Sequence, residues 1–290
     1  NARLYFNKVL DINPDDYESI KDLGNIYQAI GEINNAKTCY QKAIAINSTY
    51  APALTNLGSI ELTTGNKEEA LSLLIKATES DPQLAAAWGN LTNGYLQLGK
   101  EKEAEIACRK SIELNSNLFN SHFLLGTILL GQKKSQEAER PLRKAIELKP
   151  DFYQAHLNLG AILNDLGQLQ EAEIFTRKAI ELNPKLYNSH YLLGNILLAK
   201  DKPQEAEESL SKTIELKPDY ANAHFNIAIA FQRLGQLKSA ELSFKKAIEL
   251  KPAYAEAHSN LGLLFKDLGA FKKAEISIQK AIELNPALAE

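Results

Sequence analysis

A fixed spacing of 34 residues constrains the fold of this chain more than any other feature of its sequence. Seven of the ten prolines differ by multiples of that spacing, namely Pro14, Pro82, Pro150, Pro184, Pro218, Pro252 and Pro286. Such self-similarity indicates a repeat architecture in which each copy is one supersecondary unit. Eight copies follow one another without insertion, over residues 17–50, 51–84, 85–118, 119–152, 153–186, 187–220, 221–254 and 255–288.

Each repeat carries two stripes of apolar or small residues with helical spacing. The first stripe occupies repeat positions 4, 7, 8 and 11, and position 8 is Gly in six repeats. The second stripe runs through positions 20, 24, 27, 28 and 30, and position 20 is Ala in all eight repeats. Gly at position 15 in six repeats and proline at position 32 are typical of helix ends. Each repeat is therefore predicted to be a helical hairpin in which the small residues at positions 8 and 20 meet.

Stacking such hairpins predicts an all-α solenoid, because one hairpin cannot bury both of its stripes alone. The motif Ala87-Trp88-Gly89-Asn90-Leu91, followed by Tyr95, Gly99 and Ala104, resembles the signature of the tetratricopeptide repeat. The resemblance covers the whole chain, and residues 1–16 resemble the second helix of a truncated repeat. It implies a right-handed superhelix of eight tandem helix-turn-helix units, whose first helices line a concave groove and whose second helices form the convex back.

Charge and composition exclude several classes of partner. Thirty-three basic and thirty-six acidic residues leave no positive surplus for nucleic acid or an anionic membrane surface. No uncharged apolar run reaches the ~18 residues of a membrane helix. Two cysteines, Cys39 and Cys108, fit a reducing compartment, so we expect a cytoplasmic protein. Acidic and basic residues spaced i, i+4 predict ion pairs on the convex face: Glu105 with Arg109, Glu139 with Arg143, Glu173 with Arg177 and Glu241 with Lys245.

The residues that suggest catalytic or metal chemistry are better explained by packing. All five histidines, His122, His156, His190, His224 and His258, fall at position 4, and single residues on helices ~8–10 Å apart cannot converge on one metal ion. The two cysteines are predicted to be small core residues. Phosphate-loop, nucleophile-elbow and zinc-protease motifs are absent from the sequence, so we predict a non-enzymatic protein without cofactor or metal. Glu61 is a charged residue on a core stripe, and we expect its carboxylate to reach solvent at a helix end.

The predicted groove face, at positions 2, 5, 6, 9, 12 and 13 of each repeat, carries the functional evidence. Asparagine recurs at positions 6 and 9, as Asn25, Asn56, Asn90, Asn93, Asn158, Asn195, Asn226 and Asn260. An amide both donates and accepts hydrogen bonds, so it can bind a peptide backbone regardless of the peptide's side chains. This arrangement resembles the asparagine ladder in the superhelix of O-linked N-acetylglucosamine transferase, although asparagine at position 6 also has a structural explanation in this repeat. Position 5 is bulky and apolar in four consecutive repeats, as Phe123, Leu157, Tyr191 and Phe225, which we expect to point away from the core stripes.

These features predict an interaction scaffold that binds a protein or peptide segment in its concave groove. The predicted groove residues are Asn56, Asn90, Phe123, Leu157, Asn158, Tyr191, Asn195, Phe225, Asn226 and Asn260. An alternative is the substrate-recognition arm of a larger enzyme, such as a glycosyltransferase, whose catalytic domain is absent from this chain. Lys21, Asn25 and Asn56 also match three places of the carboxylate clamp of related repeats, but Ala86 and Asn90 replace its remaining basic residues. Because the chain opens without Met and no polar capping helix is evident, we expect further protein at one or both ends, or self-association through uncapped ends.

Overall fold

The computed structural model describes residues 2–289, with the backbone alone for residues 2–5, 7, 288 and 289. Within this range the chain forms seventeen α-helices and one short 3₁₀ helix, Pro286–Ala289, and no strand. The predicted all-α class is therefore confirmed. None of the helices in this range combines the length and the apolar content that a membrane span requires. The chain divides into two compact units, Asn1–Pro150 and Asp151–Glu290.

Both units are built from consecutive helix pairs. The first unit contains α1 (Ala2–Ile12) and the pairs α2 (Tyr17–Ala29) with α3 (Ile33–Ile46), α4 (Ala51–Thr64) with α5 (Lys67–Ser80), α6 (Ala85–Gln97) with α7 (Glu101–Leu114), and α8 (Phe119–Gly131) with α9 (Ser135–Leu148). The second unit contains the pairs α10 (Tyr153–Asp165) with α11 (Leu169–Leu182), α12 (Tyr187–Ala199) with α13 (Pro203–Leu216), α14 (Ala221–Arg233) with α15 (Leu237–Leu250), and α16 (Ala255–Asp267) with α17 (Phe271–Leu284). Inside each unit, the two helices of a pair pack together and the second helix also contacts the next first helix. Each unit is therefore a stack of helical hairpins, as a solenoid requires.

The turn inside each repeat contains one residue with a left-handed backbone. Six repeats place Gly there, while Lys133 (φ 60°) and Asp201 (φ 55°) adopt the same conformation in the other two. A residue with a side chain pays about 1–2 kcal/mol to do so. The packing of the two helices therefore imposes the turn geometry even where glycine is missing.

Close contact between the helices of a pair explains the glycine at position 8. A Cβ built on Gly126 would lie 2.5 Å from Cγ of Leu142, a fully buried residue at position 24 of the same repeat. A Cβ on Gly58 would lie 3.3 Å from the carbonyl oxygen of Ala70, at position 20. The predicted meeting of positions 8 and 20 is confirmed, and the side chain at position 24 fills the remaining space between the helices.

Charged side chains cover the outward faces of the second helices. The predicted i, i+4 pairs are confirmed as ion pairs, with shortest N–O distances of 2.7 Å for Glu105 and Arg109, 2.8 Å for Glu139 and Arg143, 2.8 Å for Glu173 and Arg177, and 2.6 Å for Glu241 and Lys245. Pro141 lies inside α9, which continues through it from Ser135 to Leu148. The second helices therefore present a charged, hydrated surface.

Candidate functional site

The bulky residues at position 5 lie at the border between the groove face and the core. Phe123, Leu157, Tyr191 and Phe225 are all half-buried. The ring of Phe225 lies 5.8 Å from that of Phe244, which is fully buried, and Tyr191 packs against the cluster around Leu193. The expectation that these side chains point away from the core stripes is therefore wrong for Tyr191 and Phe225, because each ring packs against a buried cluster.

In the first unit, two asparagines join consecutive repeats. Asn56 Nδ2, on α4, donates a hydrogen bond of 2.8 Å to Asn25 Oδ1, on α2. The hydroxyl of Tyr40, which is fully buried, lies 2.9 Å from the same oxygen. Lys21, the first place of the alternative clamp, forms an ion pair with Asp22 at 2.5 Å. The amides and the lysine of that clamp are therefore engaged with neighbouring side chains.

In the second unit, the same pair of repeat positions forms the same bond. Asn226 Nδ2, on α14, donates a 2.6 Å hydrogen bond to Asn195 Oδ1, on α12, and lies 3.3 Å from the hydroxyl of Tyr191. Burial raises the pKa of Tyr191 although both amides lower it, so the hydroxyl is protonated at neutral pH. The structure thus brings together three of the predicted groove residues, Tyr191, Asn195 and Asn226, in one polar cluster.

This cluster has hydrogen-bonding groups that are not used within the described part of the chain. An amide nitrogen carries two N–H groups, and the Tyr191 hydroxyl can take one of those on Asn195. Asn226 Oδ1 accepts no hydrogen bond from the described part of the chain. All three side chains are half-buried, so part of each faces solvent. The pair therefore presents at least one donor and one acceptor at the groove face.

The remaining groove asparagines are placed differently. Asn260 Nδ2 donates to the carbonyl of Glu256 in its own helix at 2.9 Å, and Asn93 Nδ2 donates to the carbonyl of Gly89 at 3.4 Å. Asn90 and Asn158 are half-buried on their first helices. In two places an asparagine at position 6 follows a repeat with asparagine at position 9, and in both the two side chains are hydrogen-bonded. The partners are 31 residues apart, and this spacing is the sequence signal by which the two pairs could have been predicted.

The histidines at position 4 hold their first helix to the loop before it. In four of them Nε2 lies 2.8–3.1 Å from the carbonyl oxygen six residues earlier, namely His122 to Ser116, His190 to Pro184, His224 to Pro218 and His258 to Pro252. Trp88 Nε1 donates to Pro82 in the same way at 3.0 Å. A carbonyl oxygen only accepts, so each of these imidazoles donates from Nε2. Among the described residues no group of three or more His, Cys, Asp or Glu side chains lies around one point that could hold a metal ion.

Glu61 has a structural role that differs from the one expected. Its side chain is 0% exposed, so the prediction that its carboxylate reaches solvent is wrong. The carboxylate forms an ion pair with Lys37 of the preceding repeat at 2.5 Å and accepts a 2.6 Å hydrogen bond from Asn66. Burial alone would raise the pKa of Glu61, but the Asn66 amide and the Lys37 ammonium outweigh it and hold that pKa below its ordinary value. Glu61 therefore fastens α4 to α3 as a buried, ionised group.

The cysteines offer no reactive thiolate. Cys108 is fully buried, donates from Sγ to the carbonyl of Ser121 at 3.0 Å, and has its pKa raised by burial to about 12. Cys39 is only half-buried, which corrects the prediction that both are core residues, and burial raises its pKa as well. Nucleophilic cysteines need a lowered pKa, so neither residue is suited to catalysis.

Family comparisons agree with the architecture. Residues 15–225 match the family described as the cilia and flagella-associated protein 70 C-terminal domain. Residues 233–269 and 255–288 match two tetratricopeptide repeat families. A search of curated proteins gave no match.

Solved structures give the same picture of the fold. YrrB, described as a tetratricopeptide repeat protein with an unusual peptide-binding site, is 27% identical over 63% of this chain and 95% of its own, with a TM-score of 0.58. PilF of Pseudomonas aeruginosa is 21% identical over 76% of this chain and 96% of its own, with a TM-score of 0.61. One chain of the Cut9–Hcn1 hetero-tetramer of the APC/C is 16% identical over 87% of this chain and 50% of its own, with a TM-score of 0.60.

Proposed function

This chain belongs to the tetratricopeptide repeat family represented by the cilia and flagella-associated protein 70 C-terminal domain, and on that basis we propose that it is a non-catalytic scaffold that binds a peptide segment along its groove face. The fold is of the kind that serves protein–protein interaction. The observation that carries the proposal is the amide pair of Asn195 and Asn226, which bridges two repeats and keeps a donor and an acceptor at the surface.

An extended peptide requires partners of this kind. Each of its residues brings a backbone C=O and, unless it is proline, an N–H, and both lose water on binding. A protein donor and acceptor held by a bond between two repeats meet those groups without having to be ordered first, which lowers the entropic cost of binding. Apolar surface next to the pair, from Tyr191 and Phe225, supplies the packing that hydrogen bonds alone do not. The structural similarity to YrrB, which is described as having a peptide-binding site, also supports the proposal.

Selection of peptides from a random displayed library on the purified full chain tests the proposal. We expect the selected peptides to lose affinity by about tenfold or more on the double variant Asn195→Ala/Asn226→Ala, which corresponds to ~1.4 kcal/mol. The control is Gln204→Ala, which removes an exposed amide from the second helix α13 of the same repeat as Asn195. Urea unfolding of both variants separates loss of binding from loss of fold.

The outcome that contradicts the proposal is equally specific. If the selected peptides bind the double variant as tightly as the unmodified chain, and lose affinity on Gln204→Ala or other second-helix variants, the binding surface is on the second helices. Failure of all peptides to bind the folded chain would also contradict it.

A further inference from the structure

Two neighbouring repeats of the second unit each carry an aromatic pair at the same repeat positions. The rings of Tyr191 and Tyr220 lie 4.9 Å apart at 72°, and those of Phe225 and Tyr254 lie 4.9 Å apart at 39°. The first ring of each pair is at position 5, and the second comes from the last residue of the same repeat. Tyr191, Tyr220 and Phe225 are half-buried, whereas Tyr254 is 9% exposed and packs against Phe225. Aromatic surface therefore recurs along this face with the spacing of the repeats.

The amide pair joins these same two repeats. Asn195 is in the repeat of Tyr191, and Asn226 is in the repeat of Phe225. Their bond of 2.6 Å, together with the 3.3 Å contact from Asn226 to the Tyr191 hydroxyl, ties the polar groups to the first aromatic pair. The face thus combines aromatic surface from each repeat with a donor and an acceptor from the bridge that joins them.

The groove positions of this face hold few charged residues. Across repeats 187–220 and 221–254 the groove positions hold Asn188, Tyr191, Leu192, Asn195, Leu198, Ala199, Asn222, Phe225, Asn226, Ile229, Gln232 and Arg233. Arg233 is the charged member, and it already donates to the carbonyl of Leu198 at 2.6 Å and lies 3.4 Å from Asp201. The whole chain is 24% charged, so these groove positions are depleted of charge. Beside them, the ammonium of Lys217 lies 5.5 Å from the centroid of the Tyr220 ring. A partner rich in charged residues would lose hydration here and find few counter-charges.

The spacing expected of neighbouring first helices matches one type of peptide backbone. Helices in contact lie about 8–10 Å apart, and α12 and α14 touch where Asn195 bonds to Asn226. A polyproline II helix advances ~3.1 Å per residue with three residues per turn, hence about 9 Å per turn. A β-strand repeats its side-chain direction every two residues, after about 6.6 Å, and would fall out of step with the repeats.

We propose that repeats 187–220 and 221–254 bind an uncharged, proline-rich segment in the polyproline II conformation, with one turn of ligand for each repeat. This inference rests on the proposed function and names the chemistry of its partner. A proline ring of one turn packs on Tyr191 and Tyr220, and a proline of the next turn packs on Phe225. Aromatic-lined grooves suit this backbone because it is already ordered before binding.

The amide pair supplies what such a ligand lacks. Prolines have no N–H, so a proline-rich segment has more carbonyl acceptors than donors, and none of its groups are paired internally. The free N–H of Asn195 donates to one carbonyl between the two prolines. Asn226 Oδ1 accepts the N–H of a residue between them that is not proline. A regular Pro-x-x-Pro spacing satisfies all of these contacts together.

Fluorescence anisotropy with a labelled, capped peptide of three consecutive Pro-Gln-Ala units tests the inference on the full chain. The comparison peptides are a scrambled one of the same composition with irregular proline spacing and one with alanine at every proline. We expect the regular peptide to bind about tenfold or more tightly than either comparison peptide. Its affinity should change less than about twofold when salt is raised, because no ion pairs form.

Matched variants locate the site. Tyr220→Leu should weaken binding of the regular peptide about tenfold or more, while Tyr220→Phe, which keeps the ring, should retain it. The control is Tyr50→Leu, at the same position of the first repeat. The ring of Tyr50 lies 4.8 Å from that of Tyr17, and position 5 of that repeat is Lys21 instead of an aromatic residue. That variant should leave affinity unchanged.

The possible results separate this inference from the proposed function. If the scrambled or proline-free peptide binds as tightly as the regular one, and Asn195→Ala/Asn226→Ala still abolishes binding, the proline inference fails and the groove proposal stands. If the regular peptide binds Asn195→Ala/Asn226→Ala and Tyr220→Leu as tightly as it binds the unmodified chain, both the proline inference and the groove proposal fail. No binding of the regular peptide up to about 1 mM also overturns the inference, because that limit corresponds to only about 4 kcal/mol.

Discussion

Replacing Gly126 by Ala tests whether close helix packing explains the glycine at position 8. A Cβ at Gly126 would lie 2.5 Å from Cγ and 2.8 Å from Cδ2 of Leu142, whereas carbon atoms in ordinary contact are about 3.5–4.0 Å apart. Leu142 is fully buried, so it must move by roughly 1 Å within a core packed as densely as a crystal. Overpacking of this kind costs about 1–3 kcal/mol.

The matched control is Gly131→Ala in the same helix. No atom lies within 4 Å of a Cβ built on Gly131, and its φ is not positive. Alanine at such a position stabilises a protein by about 0.4–1 kcal/mol, because the unfolded chain loses freedom. Alanine at Gly126 gains about 1 kcal/mol of helix propensity in the same way. The difference in unfolding free energy between the two variants therefore isolates the steric cost, which we expect to be about 1–3 kcal/mol.

Urea unfolding followed by far-ultraviolet circular dichroism gives that difference directly. We expect Gly131→Ala to raise the midpoint slightly and Gly126→Ala to lower it. If both variants are stabilised equally, Leu142 accommodates the methyl group without cost and the packing explanation for position 8 is refuted.

Three further predictions follow from the core and the loops. Glu61→Gln should lower the unfolding free energy by about 1–3 kcal/mol at pH 7, because it removes charge from buried hydrogen bonds. Since the folded pKa of Glu61 is lowered, its contribution is present above the ordinary value of 4.5 and disappears as pH falls through the folded pKa, so urea midpoints of the two proteins should converge in acid. Ser189→Ala should be neutral or stabilising, because the buried Ser189 hydroxyl has no hydrogen-bond partner in the described residues. Ser121→Ala should lower the unfolding free energy by about 0.5–1.5 kcal/mol in the same assay, because its hydroxyl is hydrogen-bonded to that of Ser111 at 2.8 Å. Addition of a chelator should leave the melting temperature unchanged, and a fall of several degrees would show that the histidines bind metal.

Helix pairing and the main core could be predicted from the sequence because they depend on spacing within one repeat. The small residues at positions 8 and 20 recur every 34 residues, and Gly126 with Leu142 shows how closely the two helices pack there. The ion pair of Glu173 and Arg177 is similarly local, since residues four apart share one face of a helix. These features follow from helical geometry and do not require knowledge of neighbouring repeats.

The candidate site could be predicted only in part, because its side chains contact residues on other helices. Asn195 and Asn226 are 31 residues apart, and their bond depends on how α12 packs against α14. The spacing predicts that Phe225 points away from the core, but its ring packs against Phe244 and is half-buried.

The placement of Glu61 was decided by tertiary structure alone. On its own helix it is a charged residue on an apolar stripe, which predicts a position near solvent. The preceding repeat supplies Lys37, and the turn that follows supplies Asn66, so the carboxylate is buried and remains ionised. A repeating sequence fixes which face each side chain occupies within its helix. Whether a polar group on that face binds water, a ligand or a neighbouring repeat depends on side chains that are distant in sequence and come within hydrogen-bonding distance only when the repeats stack.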